Sequence, residues 1–448
     1  MRATLPILIL ALLFVPALAQ KGKDKPAPEN AKVSQLKQQI ALELGAFADW
    51  CLKNRFGATA KAVADEACKL DAANKKASDV AAKAGGEDSQ EADDVKAFEK
   101  KRESAGNKVG PIYCELFLQG PAKARAEFDP YIEAAFRWDA DNSDKWVEAN
   151  YKKTFGEKNY AMVMAMLAAA LPHQKDDSKL AKGYPERAKV LRECEARLAV
   201  DSPLLRKARN HTMQYYLSLP NGWSADKKWP VLVAVEGAGC NFRGMNGGYG
   251  GKGNTSYIVV TPCSFSNTNS LEGQEGKYPY AREVLEEWNG KRMDFDEPGL
   301  LAALDDVRAD FNGEEKFYIT GFSGGGNITW HFIFTHPEKL AAAAPASANF
   351  SGLRAEASQA PAKETLPIKV LQGEDDEYRK PDSISPLDRQ WEFAKSMLEQ
   401  HGYKNWTYEL VPKTGHSPCN KQVLEFFNGL REKNAPAPKG DKPKPSGK

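Results

Sequence analysis

Lys316-Phe317-Tyr318-Ile319-Thr320 is a run of aromatic and β-branched residues that stops abruptly at Gly321-Phe322-Ser323-Gly324-Gly325. A long apolar run, Ile328 to Phe334, follows and is closed by His336-Pro337. The pattern predicts a strand, a tight turn and a buried helix, with Ser323 at the tip of the turn. Small residues on either side of a serine let a strained backbone expose its hydroxyl above a sheet, the arrangement of a nucleophile elbow. A helix starting just after Ser323 also points its N-terminal amides at the same spot, where an oxyanion could be held. Gly-x-Ser-x-Gly fixes only three positions, and the chain carries 35 glycines. A glycine-rich turn that merely joins a strand to a helix is therefore the competing reading, and partners elsewhere in the chain must decide.

A serine nucleophile needs a base, and the base needs an orienting carboxylate. His416 lies in Lys413-Thr414-Gly415-His416-Ser417-Pro418, straight after the last predicted strand, Thr407 to Val411. His331 and His336 belong to the helix after Ser323 and are too close in sequence to reach back over it, and His401 ends a predicted helix. His416 is the candidate base. The acid is expected after the penultimate strand, Ile368 to Leu371, in Gln372-Gly373-Glu374-Asp375-Asp376-Glu377. The usual spacing after the glycine selects Asp376, with Asp375 as the alternative. Two backbone donors are expected for the oxyanion. One is the Gly324 amide. The other comes from Gly237-Ala238-Gly239, where Ala238 is selected over Gly239; this segment follows the continuous apolar run Val231 to Val235.

From about Met213 to Arg431 the chain resembles the α/β-hydrolase superfamily, on Gly321-Phe322-Ser323-Gly324-Gly325, Gly373 to Asp376, and Gly415-His416. Within it the resemblance is to secreted polyhydroxybutyrate-depolymerase-like and related carboxylesterases, and more distantly to prolyl-oligopeptidase-type peptidases. It implies a mostly parallel α/β sheet flanked by helices, and acyl transfer through Ser323, His416 and Asp376 with no metal or organic cofactor. One departure stands out. Where such enzymes usually carry His-Gly, this chain has Glu236-Gly237. The glycine of the backbone hole is kept, and Glu236, if buried, needs its own partner or a raised pKa.

The remaining chain divides by composition. Residues 1–19 have the form of a secretory signal: Arg2, an apolar core from Leu5 to Leu13, and Ala17-Leu18-Ala19 before Gln20. This predicts a secreted or periplasmic protein. Residues 20–32 read as a Lys/Pro-rich linker, and residues 434–448 as a disordered Pro/Lys-rich tail. Residues 33–200 are rich in alanine and poor in Pro/Gly clusters, which predicts an all-α domain preceding the α/β-hydrolase domain of residues 205–433. Lys69-Leu70-Asp71-Ala72-Ala73-Asn74 resembles Arg137-Trp138-Asp139-Ala140-Asp141-Asn142, about two periods of roughly 34 residues apart. Each follows helices carrying Trp50-Cys51 or Tyr113-Cys114, so the region resembles degenerate tetratricopeptide pairs. It is either a docking module for a protein partner or an accessory domain that only packs on its neighbour.

A net charge of +2 gives no strong field for nucleic acid or anionic lipid. Seven cysteines lack C-x-x-C spacing, which argues against structural zinc. In an oxidising compartment a Cys240–Cys263 or Cys263–Cys419 disulfide is expected near the site. The segment between the Leu340 and Ile368 strands is too short for a cap domain, so an open site for bulky, polymeric or aromatic esters is expected. Phe265, Tyr278, Tyr280, Trp288 and Phe295 of residues 264–298 either line that cleft or form the core of an elaborated loop. Two further functions remain open at this stage: a serine peptidase of the same fold, and a non-catalytic helical binding module with a decayed hydrolase.

Overall fold

A computed structural model describes residues 30–121, 124–173, 183–251, 253–254, 256–353 and 355–434. Residues 1–29, which include the signal-like segment and most of the linker, lie outside the described residues, as do residues 435–448 of the tail. The described residues fall into two compact units, divided between Arg197 and Leu198.

The first unit is helical. Its helices are α1 (Ala31–Lys53), α2 (Gly57–Leu70), α3 (Lys75–Lys83), α4 (Ala92–Leu118), α5 (Arg125–Trp138), α6 (Ala140–Gly156), α7 (Tyr160–Ala170) and most of α8 (Tyr184–Asp201). Small residues let the helices approach closely: Ala41, Ala48, Ala60, Ala64 and Ala67 are all buried. On α4, a side chain at Gly106 would stand 2.2 Å from the Trp138 carbonyl oxygen, and one at Gly110 would stand 2.9 Å from Asp139 Cβ. Substitution at either would push α4 off the end of α5. The two similar segments both mark helix junctions. Asn74 caps α3 through the Ala77 amide (3.0 Å), and Asp139 caps α6 through the Asn142 amide (3.1 Å). Cys51 and Cys114 are buried in this core. Burial raises both thiols to about 12, so neither is a reactive thiolate at neutral pH.

The second unit is organised on an eight-stranded sheet. Its strands are β1 (Leu204–Lys207), β2 (Gln214–Ser218), β3 (Trp229–Val235), β4 (Ile258–Pro262), β5 (Gly313–Phe322), β6 (Leu340–Ala346), β7 (Ile368–Gly373) and β8 (Trp406–Val411). Their order is β1-β2-β4-β3-β5-β6-β7-β8, antiparallel at β1–β2–β4 and parallel from β4 to β8. This is the α/β-hydrolase architecture. β3 is buried along its whole length, as a parallel strand covered on both faces must be. Leu232, Ala234, Tyr318 and Ala344 pack with α9 (Phe242–Gly250) and α14 (Asn420–Asn434). The other face meets α11 (Arg292–Phe311) and α12 (Gly326–Thr335), where Phe332 of α12 lies 5.9 Å from Phe317.

α12 is buried almost throughout. Trp330 packs on Phe334, Phe350 and the Trp391 ring of α13 (Leu387–Gln400). Its truncation to alanine should cost about 3–5 kcal/mol, the range for large core aromatics. The histidine buried inside this run is answered by a carboxylate: Glu297 of α11 takes His331 Nε2 at 2.6 Å and also His336 Nε2 at 2.8 Å. Those two histidines therefore clasp α12 to α11.

Residues 264–298 do not form an open loop. They contain α10 (Arg282–Trp288) and the first turns of α11, and Phe265, Tyr278, Tyr280 and Phe295 are buried against one another. The Phe265 ring lies 4.3 Å from Phe295 and 4.9 Å from Tyr280. These four aromatics are core, and Trp288, half-buried, joins them through Phe295 at 5.4 Å. Asp296 anchors the same segment, accepting from the Phe265 amide (2.8 Å) and the Ser266 amide (2.6 Å). Complete burial pushes the Asp296 carboxyl up to about 6, against the opposing pull of those two amides. A carboxyl raised on folding contributes stability below its unfolded pKa and loses it as pH rises through the folded value. Between pH 3.5 and 7 the wild type should therefore lose about 2–3 kcal/mol relative to Asp296→Asn. The check is the difference in urea unfolding free energy between the two proteins at the two pH values.

Candidate active site

The parallel strands end in register, so the loops that leave them are gathered along one edge. Val235 pairs with Gly321, Gly321 with Pro345, Phe322 with Ala346, Ala346 with Leu371, and Gly373 with Val411. Ser323, Gly237, Ser347, Asp376 and His416 all follow those strand ends, where open α/β sheets place their ligands.

Ser323 stands at the end of β5 with φ of +50°, a left-handed conformation that costs a non-glycine residue about 1–3 kcal/mol. Close packing explains the glycines around it. A side chain at Gly321 would meet Thr329 Oγ1 at 2.2 Å, and one at Gly325 would meet the Val235 carbonyl oxygen at 2.5 Å. Two backbone bonds strap the turn to the segment after β6: the Ser323 amide donates to the Ser347 carbonyl (3.2 Å), and the Asn349 amide donates to the Ser323 carbonyl (2.8 Å). Ser347 is itself left-handed, with φ of +43°.

His416 Nδ1 lies 2.9 Å from Asp376 Oδ2. Asp376 is 3% exposed, and its carboxylate accepts two further bonds, from Gln372 Nε2 (2.8 Å) and the Tyr378 amide (2.9 Å). Three donors on a buried carboxylate leave it little freedom to turn. With Nδ1–H donated to Asp376, Nε2 is the ring nitrogen left to accept a proton. The ring is held between Phe322 (centroids 4.7 Å) and Tyr378 (4.6 Å), so it stands over the residue preceding Ser323. Asp375 is exposed, and its amide donates to Thr414. It steers the loop that carries His416 but does not touch the imidazole.

Ser323 Oγ and His416 are not hydrogen-bonded. Among the described residues the hydroxyl faces Asn349 Oδ1, 3.5 Å away. At that length the contact is weak. Asn349, with its amide held by Ser385 and Gln390, is a site residue that carried no sequence signal. Gln372 and Tyr378 are two more, since nothing in sequence marks a strand-end glutamine or a turn tyrosine as support for a neighbouring carboxylate.

On the opposite side of β5, Gly237 abuts the serine. A side chain there would stand 2.9 Å from Ser323 Cβ, so only glycine fits. Ala238 is exposed, and its N–H donates to no group among the described residues. Glu236 is buried; desolvation pushes its carboxyl above the usual range, with the Gly237 backbone amide partly offsetting this. No cation pairs with it among the described residues.

The expected disulfides are not formed: Cys240, Cys263 and Cys419 are buried free thiols. Each thiol of the two loop cysteines is spent locally, Cys240 Sγ donating to the Ala238 carbonyl (3.4 Å) and Cys419 Sγ to the Ser417 carbonyl (3.5 Å). Burial raises the Cys419 thiol to about 11 and Cys263 well above its ordinary value.

No family model and no curated protein matches this chain. Among solved structures it is similar to a thermostable esterase (23% identity, TM-score 0.36), over 52% of this chain and 64% of that one. It is also similar to esterase 2 of the planctomycete Thermogutta terrifontis (14%, TM-score 0.34; 54% and 96% covered). A third is Est1E from Butyrivibrio proteoclasticus (14%, TM-score 0.32; 52% and 100% covered). The chain thus spans under two thirds of the first of these.

The bonding pattern separates the two neighbouring aspartates. On the acyl-transfer reading proposed below, Asp376→Asn should lower turnover by about 10³–10⁴-fold, because an amide imposes the wrong imidazole tautomer. Asp375→Asn should stay within about twofold, since its carboxylate lies outside the hydrogen-bonded group. Steady-state rates of the two variants with an activated ester check this.

Proposed function

We propose that the second unit is a serine hydrolase of carboxylic esters, with Ser323 as nucleophile, His416 as base and Asp376 as its orienting acid. The observation that carries the reading is half-buried His416 held by buried Asp376, at the same sheet edge as a left-handed Ser323. Ser323 Oγ attacks the acyl carbonyl as His416 Nε2 takes its proton. The Ala238 and Gly324 amides hold the tetrahedral oxyanion. His416 then protonates the departing alcohol, and a water activated by the same nitrogen releases the acid from the acyl-enzyme. Asp376 stabilises the imidazolium in both steps without being protonated.

The segment between β6 and β7 supports an open cleft suited to bulky or polymeric esters, as in depolymerase-like carboxylesterases. It holds one short 3₁₀ turn, Pro361–Glu364, and no cap. Ile384, 93% exposed and next to Ser385 of the Asn349 network, offers such a substrate an apolar contact. The signal-like residues 1–19 favour a secreted or periplasmic site of action. The paired helices, with similar segments at the junctions around Asp71 and Asp139, favour a tetratricopeptide-like module that docks a protein partner.

A fluorophosphonate probe should label the wild type and leave Ser323→Ala and His416→Ala unlabelled. Folded wild type that resists the probe would sink the enzyme reading, and leave the helical module as the functional part. Turnover of p-nitrophenyl esters should exceed that of matched peptide amides; the reverse order would make the protein a peptidase.

A further inference from the structure

We propose that Asn267 is the positioning residue that aims the Ala238 amide at the developing oxyanion. This rests on the Ser323 hydrolase reading. Asn267 follows β4 and is 1% exposed. Its Nδ2 donates to the Gly237 carbonyl at 2.8 Å. That carbonyl and the Ala238 N–H belong to one planar trans peptide unit, so they point in opposite directions. Holding the carbonyl inward therefore holds the N–H outward, on the side where Ala238 is exposed and Gly237 abuts Ser323.

The orientation of the Asn267 amide is itself determined. A carbonyl oxygen can only accept, so the atom facing Gly237 is the nitrogen. Oδ1 is then left to the Tyr278 hydroxyl, which donates to it at 2.7 Å. Tyr278 is buried, and its ring packs on Phe242 and Phe265. The Gly237 carbonyl also accepts from the Cys240 amide at 3.1 Å, closing the turn. That second bond runs within the loop, whereas Asn267 ties the loop to a separate segment.

The same residue borders the other donor. A side chain on Gly324 would stand 1.9 Å from the Asn267 carbonyl oxygen. One residue thus fixes the spacing of both amides, its side chain through Gly237 and its backbone through contact with Gly324. The two residues before it are secured by Asp296, which makes this segment a rigid abutment.

Asn267→Leu removes the tie and leaves the Gly237–Ala238 peptide free to rotate. Asn267→Asp places a carboxylate oxygen against the carbonyl oxygen and drives it away. Both should lower kcat for a p-nitrophenyl ester by about 10–100-fold, somewhat less than loss of an oxyanion donor outright. KM should stay within about threefold, since ground-state binding does not use the hole. Affinity for a trifluoromethyl ketone, which adds Ser323 to form an anionic hemiketal, should fall in parallel with kcat. Tyr278→Phe leaves the amide in place but unlocked, and should move kcat and ketone affinity the same way by a smaller factor. These assays use the full chain, and Tyr278→Phe carries the test if the Asn267 variants do not fold. Folded variants with kcat within twofold of wild type overturn the proposal, as does a fall in kcat with unchanged ketone affinity. In either case a wild type labelled by fluorophosphonate leaves the hydrolase reading standing.

Discussion

The left-handed backbone at Ser323 is the constraint on which the rest of the second unit depends. A serine at φ of +50° is held there only by what surrounds it. Ser347 and Asn349 bind its amide and carbonyl, while Gly321, Gly324 and Gly325 allow Thr329 of α12, Asn267 and the end of β3 to close in. The same backbone strain recurs along that edge of the sheet. Cys240 after β3, Ser347 after β6, and Lys413 and Cys419 after β8 are also left-handed non-glycine residues. Most of the strained residues of this unit therefore sit where the chemistry is proposed. The regular interior of the sheet over-determines them.

Several buried acceptors at this edge follow one rule: each is given enough donors to fix its direction. Asp376 receives three, the Asp296 carboxylate takes two backbone amides, and the Gly237 carbonyl takes a turn amide and Asn267. Satisfied buried networks of this kind rigidify a site, whereas a half-satisfied one destabilises it. Glu236 breaks the rule, being a buried carboxyl with no cation beside it among the described residues and a raised pKa. Its neighbour Gly237 is where the backbone hole is proposed, so the departure from His-Gly lies on the support side of that loop.

Much of this was legible in the sequence. The elbow, the acid turn and the Gly-His loop were readable because each combines a strand-length apolar run with a turn whose residue types have a local meaning. The choice between Asp375 and Asp376 was not local. Two adjacent carboxylates differ only in which one the end of β7 turns inward. Asn267, Asn349, Gln372 and Tyr378 gave no signal, because their roles depend on partners that are distant in sequence or set by a turn. Helix α9 gave no sequence signal, since Gly244, Gly247, Gly248 and Gly250 dilute its helical pattern. The aromatics of residues 264–298 were ambiguous between cleft and core, and only packing assigned them to the core.

By itself, then, the chain determined its element types and their order. Period-two and continuous apolar runs, capped by glycines, specify parallel strands through local sterics and solvent exclusion. It also determined which residue types could carry acyl transfer. Tertiary structure decided the pairings: which aspartate meets His416, which amide holds Gly237, and that the cysteines near the site stay apart. Those outcomes depend on strand register and on packing across elements. A single residue of register shift exchanges the faces of a strand, and no local pattern encodes what then lies opposite.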